Sequence, residues 1–580
     1  MSGTGYVALP SESADHDRPS TPTPTTTLLS SKSEREIIYK TAHGGYLKLA
    51  EDGRSYTYAY GPSGLAGLFH NSFALRAAVF ASLGGLLFGY DQGVIANILV
   101  MKEFLARWPV GPWEKGLMTA MLELGSLVGA LSAGLFADLV SRRTAIVTAC
   151  LVFCIGSTLQ FAAQALPHLI VGRAIGGLGV GALSTLTPLY MAEISPPEVR
   201  GSLMALEQLS IVVGAVVGFW TGFLTRSIPS SWSWRLPLLI QLFPATVLLV
   251  GAMFRRILPP SPRLLVAQEH YDEAATVLRT LRGDEDILVQ LELLEMRTEV
   301  LMTAHAKSLS PKQRGLSSTV RSELRIWGRL FNKTYRKRTS IGVMMMVFQQ
   351  WSGINALLYY GPTLLVSIGL KGDLVTLLVA GGVGIVQALS VLPVIIFIDR
   401  LGRRPLLRWG SIVMAFSHVL IALLISTYAS DWSSNVGAAW VAVGCVYLYT
   451  AAYGMSYGPI GWILPSEVFP LSMRSKGVAL STASNWLNNF LIGLVTPALL
   501  ELSAKGTFMI FGVACFAGYL WSTYVVPETG NVSLEEMDAV FGSNAGVEDV
   551  RLKHEIEHEL GVDALIAQIS GGPSSAAAEE

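Results

Sequence analysis

Residues 193–200 read EISPPEVR, and residues 467–474 read EVFPLSMR. Both fit E-x-x-P-x-x-x-R, and each follows a long apolar run. A second pair of matching stretches lies upstream. Asp138 with Arg142 and Arg143 follows one apolar run, and Asp399 with Arg403 and Arg404 follows another. Matching motifs at matching places describe a chain built from two copies of one unit. Counting outward from these anchors, six apolar runs fall in each copy.

A membrane-spanning helix needs about 20 mostly apolar residues. In the first half such runs cover residues 73–96, 117–139, 144–165, 168–190, 202–224 and 236–255. In the second they cover 340–368, 374–398, 406–427, 436–464, 478–500 and 508–526. The expected fold is an all-α integral membrane protein with twelve transmembrane helices in two six-helix pseudo-repeats. Such repeats suit a substrate site near the bilayer midplane and alternating access by rocking of the halves. Residues 1–72, with the tract STPTPTTT at 20–27, are expected to form a disordered cytoplasmic tail. The bundles should span 73–256 and 340–526. A charged, helically patterned cytoplasmic loop should fill 257–339, and a cytoplasmic tail 527–580.

Composition agrees with lipid as the solvent. Hydrophobic residues make up 51% of the chain and charged residues 14%, against about 25% charged in soluble domains. Net charge is zero, so nothing points to nucleic acid. Basic residues cluster after helices 2, 4, 8 and 10 and in the central loop, while the connection after helix 3 has none. This places both termini in the cytoplasm, and the plasma membrane is the expected location. The four cysteines, Cys150, Cys154, Cys445 and Cys515, all sit in apolar runs and read as small hydrophobes without a disulfide framework. No nucleotide-binding motif, metal cluster or catalytic triad is evident. The expectation is therefore a non-enzyme without metal or cofactor, a monomer whose partners are the bilayer and a small molecule.

The motifs, taken together and in order, resemble the sugar porter family of the major facilitator superfamily, most closely its fungal monosaccharide transporters. They are FGYDQGV in helix 1, GRAIGGLGVG in helix 4, PLYMAEISPPEVRG after it and PPSPR after helix 6. QQWSGIN in helix 7, DRLGRRP after helix 8, YGPIGWILPSEVFP in helix 10 and PETGNVSLEEMD after helix 12 complete the set. The chain departs from the family at GLFADLVSRR, where Leu139 and Ser141 replace Arg and Gly, and at PPSPR and PETGN. The resemblance implies the major facilitator fold and transport of a hexose or pentose, with a proton as coupling ion. A facilitative uniporter, a polyol, inositol, quinate or disaccharide carrier, and a transporter-like nutrient sensor remain alternatives.

Candidate residues follow. A charge at a helix centre costs roughly 2.5–3.5 kcal/mol even on the insertion scale, so Asp91 in helix 1 and Arg173 in helix 4 should pair inside the bundle. In the resembled symporters such an Asp takes the proton. For the sugar, Gln349, Gln350 and Asn355 of helix 7 offer amides that both donate and accept. Six residues turn a regular helix by about 600°, so Gln349 and Asn355 share a site only if the helix breaks at Ser352-Gly353. The resemblance adds Gln208, Gln387, Trp462, Asn485 and Trp486, and Tyr359 and Tyr360 as an extracellular gate. Near the cytoplasmic surface, Asp138, Arg143, Glu193, Arg200, Asp399, Arg404, Glu467 and Arg474 form a candidate gate of charges.

Overall fold

The computed structural model describes residues 37–40, 45–49, 56–62, 65–139, 141–283, 286–308, 327–370, 372–469, 473–529, 541 and 545–570. Spans 1 to 6 are helices at Ser72–Ile98, bent at Ser82, then Pro112–Leu139, Arg142–Phe161, Leu166–Ile194, Arg200–Thr225 and Trp232–Ala252, interrupted at Gln241. Spans 7 to 12 are Lys333–Ser367, broken at Ser352-Gly353, then Asp373–Leu401, Arg403–Tyr428, Val436–Val468, broken at Ser456, Arg474–Leu502 and Ala504–Tyr524.

Among the described residues, 11 helices are long and apolar enough to cross a membrane, and span 11 is the exception. Its composition is polar because Ser481, Thr482, Asn485, Asn488, Asn489 and Thr496 line one buried face. It must cross nonetheless. Residues before span 1 (Tyr56, Tyr58, Tyr60), from the central loop (Leu265, Leu278, Val289) and after span 12 (Val562, Ile566) share one apolar cluster. The described ends of the chain therefore lie on the same side, which requires an even number of crossings.

The core divides with the repeats. One cluster draws on spans 1 to 6, with Trp486 of span 11 joining it, and another mainly on spans 7 to 10 and 12, with Ala96 and Phe219 of the first half joining it. Within the first half the helices approach backbone to backbone. A methyl group added at Gly89 or Gly93 of span 1 would overlap the backbone of span 5 at Ile211 and Ala215. Gly214 and Gly218 return the favour against Leu86 and Tyr90. Small residues at four-residue spacing allow such contact, which is how helices associate where lipid removes the hydrophobic drive. Large apolar side chains such as Phe243, Trp409 and Leu502 project outward, the surface a bilayer would cover.

The expectation of disorder over residues 1–72 is corrected at its C-terminal part. Strands Ile37–Lys40 (β1), Tyr46–Leu49 (β2) and Tyr56–Ala59 (β3) form an antiparallel sheet in the order β1-β2-β3. Its alternation places Tyr56, Tyr58 and Tyr60 on one face, as the two-residue period of a strand dictates. Their hydroxyls donate to Glu295 (2.9 Å), Glu295 (2.7 Å) and Glu292 (2.8 Å) of the loop helix Asp286–Ser308. Arg282, at the end of helix Tyr271–Arg282, forks onto Glu292 at 2.7 and 2.9 Å and reaches the Ile194 carbonyl of span 4 at 2.7 Å. The polar sequence of residues 1–72 hid this because the sheet has no core of its own. It borrows one from the loop helices.

Candidate functional site

The break in span 7 organises the site. Gly353 adopts φ +93°, the left-handed conformation that glycine enters without penalty. A side chain there would also press on the Phe511 ring at 2.8 Å. The break lets residues on both sides of it face inward, and Gln349, Gln350 and Asn355 are all buried. Gln349 donates through Nε2 to the Tyr457 carbonyl at 2.9 Å and the Gly458 carbonyl at 3.3 Å, in the first turn after the break in span 10. Its Oε1 accepts from Asn485 Nδ2 at 2.7 Å. Asn355 Nδ2 donates to Gln350 Oε1 at 2.6 Å and to Asn489 Oδ1 at 2.9 Å. The expected amides thus fall into two bonded groups, Gln349 with Asn485 and Gln350 with Asn355, the second extended by Asn489.

The other expected sugar contacts stand apart from it. Gln208 is half-buried and Gln387 buried, and neither hydrogen-bonds any of the described residues. Trp462 is half-buried. Trp486 is fully buried with its edge against Phe88, ring centroids 5.0 Å apart, and its indole N–H has no partner among the described residues.

Asp91 and Arg173 meet as an ion pair at 3.0 Å, and Arg173 Nε also donates to the Met118 carbonyl. Tyr359 and Tyr360 lie in the part of span 7 beyond the break, away from the chain ends. The Tyr359 hydroxyl donates to Glu123 at 2.6 Å and accepts from Gln92 at 3.0 Å, and the Tyr360 hydroxyl donates to the Gly493 carbonyl at 2.6 Å. Glu123, Gln92 and Asn489 were absent from the sequence reading. Glu123 carried a signal, as an acid inside the apolar run of span 2. Asn489 follows Asn485 by one helical turn and so shares its face.

On the side of the chain ends, two of the expected arginines are replaced by their neighbours. Glu193 binds Arg142 at 3.1 Å, not Arg143. Glu467 binds Arg403 at 2.8 Å, not Arg404, and accepts from Thr529 at 2.6 Å. Arg404 instead donates to the Ser522 and Thr523 carbonyls at the end of span 12, while the Glu528 carboxylate accepts from the Arg403 and Arg404 backbone N–H groups. The physical reason is helix geometry. Arg142 and Arg403 open spans 3 and 9, and one residue further on the side chain turns by about 100°. Both pairs join helices of the same half. The side chains of Asp138, Arg200, Asp399 and Arg474 lie outside the described residues.

Comparison with known proteins places the chain as a whole. The sequence pattern of the family described as "Sugar (and other) transporter" matches residues 77–541. The chain is 30% identical to a D-xylose transporter of Levilactobacillus brevis over 474 residues, covering 82% of this chain and 97% of that one. It is 32% identical to sugar transport protein 13 of Arabidopsis thaliana, covering 80% and 87%. Among solved structures, the xylose transporter XylE of E. coli in a partially occluded inward-open conformation superposes with TM-score 0.65 at 26% identity, covering 80% of this chain and all of that one. XylE bound to 6-bromo-6-deoxy-D-glucose, described as a proton:xylose symporter of the major facilitator superfamily, gives 0.65 at 27% identity, covering 81% and 99%. Twelve helices in two repeats, an amide set at a broken seventh helix and a family match over most of its length make this chain a member of the sugar (and other) transporter family.

Proposed function

We propose that this protein carries a monosaccharide across the membrane by alternating access, with a proton moved alongside it through Asp91. The observation that carries the reading is the pair of bonded amide groups, Gln349–Asn485 and Gln350–Asn355–Asn489, at the break of span 7. Its donors and acceptors match the hydroxyls of a sugar. The names of the relatives, a D-xylose transporter, a sugar transport protein and a proton:xylose symporter, support the same substrate class. Transport of this kind breaks no covalent bond, so no enzymatic group is invoked.

Asp91 and Arg173 supply the coupling device. A buried ion pair holds together while both members are charged, and protonation of Asp91 releases Arg173 from it. The energetics suffice. A proton carries about 2.3 kcal/mol per 100 mV and about 2.7 kcal/mol over two pH units, together enough for a sugar gradient of several thousand-fold. Both termini face the cytoplasm in this reading, by the placement of Lys and Arg.

The test is uptake of radiolabelled D-glucose and D-xylose in a host lacking its own sugar carriers, at acidic and neutral pH, with and without a protonophore. Uptake above the equilibrium level that the protonophore abolishes supports symport. Uptake that only equilibrates leaves a uniporter, and absence of uptake for a wider panel of sugars and polyols overturns the reading.

A further inference from the structure

Glu123 of span 2 is fully buried and belongs to no part of the cycle described above. Both its oxygens are used. Oε1 accepts from the Tyr359 hydroxyl at 2.6 Å, and Oε2 accepts from Asn489 Nδ2 at 2.9 Å. Tyr359 and Asn489 belong to the second half and Glu123 to the first, so these bonds cross between the halves. The titratable and charged groups around it are Asp91 on span 1, Arg173 on span 4, and Tyr359 and Tyr360 on span 7. Span 11 presents the neutral Asn489. Arg173 is already bound to Asp91, and Glu123 is hydrogen-bonded by neutral donors alone. An acid inside a membrane helix is costly and marks function by default.

The chain of amides gives that function a direction. Asn489 turns its Nδ2 to Glu123 Oε2 and its Oδ1 to the Tyr359 hydroxyl at 3.1 Å and to Asn355 Nδ2 at 2.9 Å. Reversed, its Nδ2 would face the Asn355 Nδ2, donor against donor. Asn489 Oδ1 then faces Asn355, whose Nδ2 spends both hydrogens on Asn489 Oδ1 and Gln350 Oε1. Asn355 Oδ1 and Gln350 Nε2 are left without a partner among the described residues, one an acceptor and the other a donor. Gln349 needs no such help, because backbone carbonyls of span 10 orient it.

We infer that Glu123 is a positioning residue for the sugar site: it fixes which of the Gln350 and Asn355 atoms face the substrate, and it ties that arrangement to closure of the Tyr359 side. When that side opens, Tyr359 and Asn489 draw away from Glu123, and the amides lose their fixed sense. A hydroxyl facing Asn355 Oδ1 must donate, and one facing Gln350 Nε2 must accept. The inference rests on the sugar-transport reading for its ligand, but not on Asp91 as the proton site.

Two measurements test it. The first compares inhibition of D-glucose uptake by each monodeoxy-D-glucose and each monodeoxyfluoro-D-glucose. Fluorine accepts but cannot donate. In the unmodified protein, one ring position should tolerate fluorine better than hydrogen by about fivefold, the worth of one retained bond, and another should not distinguish them. E123Q can turn its own amide either way, so this contrast should shrink toward unity, while E123D should restore part of it. N489L, which cuts the chain at its next link, should act like E123Q and serves if E123Q does not reach the membrane. The second measurement needs no substrate. Ile98, buried in the apolar cluster that includes Tyr359 and Tyr360, is replaced by cysteine and labelled from outside with an impermeant maleimide, against the same protein without I98C. Labelling should rise several-fold when E123Q or Y359F is added. An unchanged fluorine pattern in both E123Q and N489L overturns the positioning role. Unchanged I98C labelling overturns the tie to closure. If no sugar is taken up by the unmodified protein, the transport reading fails by itself, and the labelling still decides whether Glu123 fastens the halves.

Discussion

Asp91 and Arg173, 82 residues apart in sequence, meet at 3.0 Å with neither side chain open to solvent. The pair is balanced in charge but under-bonded. Asp91 Oδ2 and Arg173 Nη2 have no partner among the described residues. In the proposed cycle a proton on Asp91 takes the place of Arg173. Removing one member of a buried pair strands the other, at a cost of about 3–5 kcal/mol.

Asp91→Asn keeps the size of the side chain but cannot ionise. It should abolish uphill accumulation and flatten the pH dependence of uptake, while sugar exchange at zero gradient survives. Counterflow of labelled D-glucose in vesicles measures the exchange. If the variant still concentrates sugar, Asp91 is not where the proton binds.

Gln350→Ala and Asn355→Ala each remove a bond to a buried hydroxyl and a link in the amide chain. Each should weaken apparent affinity by roughly five- to hundred-fold, from a loss of about 1–3 kcal/mol. Surface expression should stay near normal, because neither side chain fills much apolar core. Unchanged affinity in both variants at matched expression would remove span 7 from the site.

Gly353→Ala tests the break itself. The φ of +93° is one that alanine adopts at a cost of about 1–2 kcal/mol, and the Phe511 ring at 2.8 Å adds to it. The variant should lower the midpoint of thermal unfolding and weaken sugar binding together, because the same break sets the direction of Gln349 and Asn355. Loss of stability with full affinity would separate the break from the site.

Glu467→Gln weakens the tie to Arg403 and the contact with Thr529. Cysteines placed on the side of the chain ends should become easier to label, as spans 9 and 10 loosen there. A correctly folded variant without any rise would reduce these charges to signals of orientation.

Burial holds the Glu295 carboxyl above its ordinary value, against the opposing pull of Lys553 and the hydrogen bonds from Tyr58 and Tyr56, with Glu299 pushing the same way as burial. A carboxyl raised in the folded state favours folding while protonated. Its contribution is full below the ordinary carboxylate range and is lost as pH rises through the raised value. The three-stranded sheet should therefore resist limited proteolysis better in mild acid than at neutral pH, and Glu295→Gln should remove that dependence. Equal protection at both pH values in the unmodified protein would contradict it.

The crossings, the two repeats and the buried amides of span 7 were legible along the chain. These follow from local chemistry: apolar run length against bilayer thickness, repeated charges after matching runs, and polar residues inside helices. Even the break at Ser352-Gly353 was legible, because Gln349 and Asn355 could share a site in no other way. Span 11 was legible as a run, although its buried Asn and Ser residues leave it too polar to qualify by hydropathy. The relations between distant elements came only from how the helices pack. Whether Glu193 meets Arg142 or Arg143 depends on a rotation of about 100° per residue at a helix start, which no motif records. Glu123 reads along the chain as one acid in span 2, and only packing of the halves brings it to Tyr359 and Asn489, 236 and 366 residues away. The sheet at Ile37–Ala59 is the same lesson in reverse. Its sequence looked too polar to fold because the apolar surface that holds it belongs to helices more than two hundred residues further along the chain.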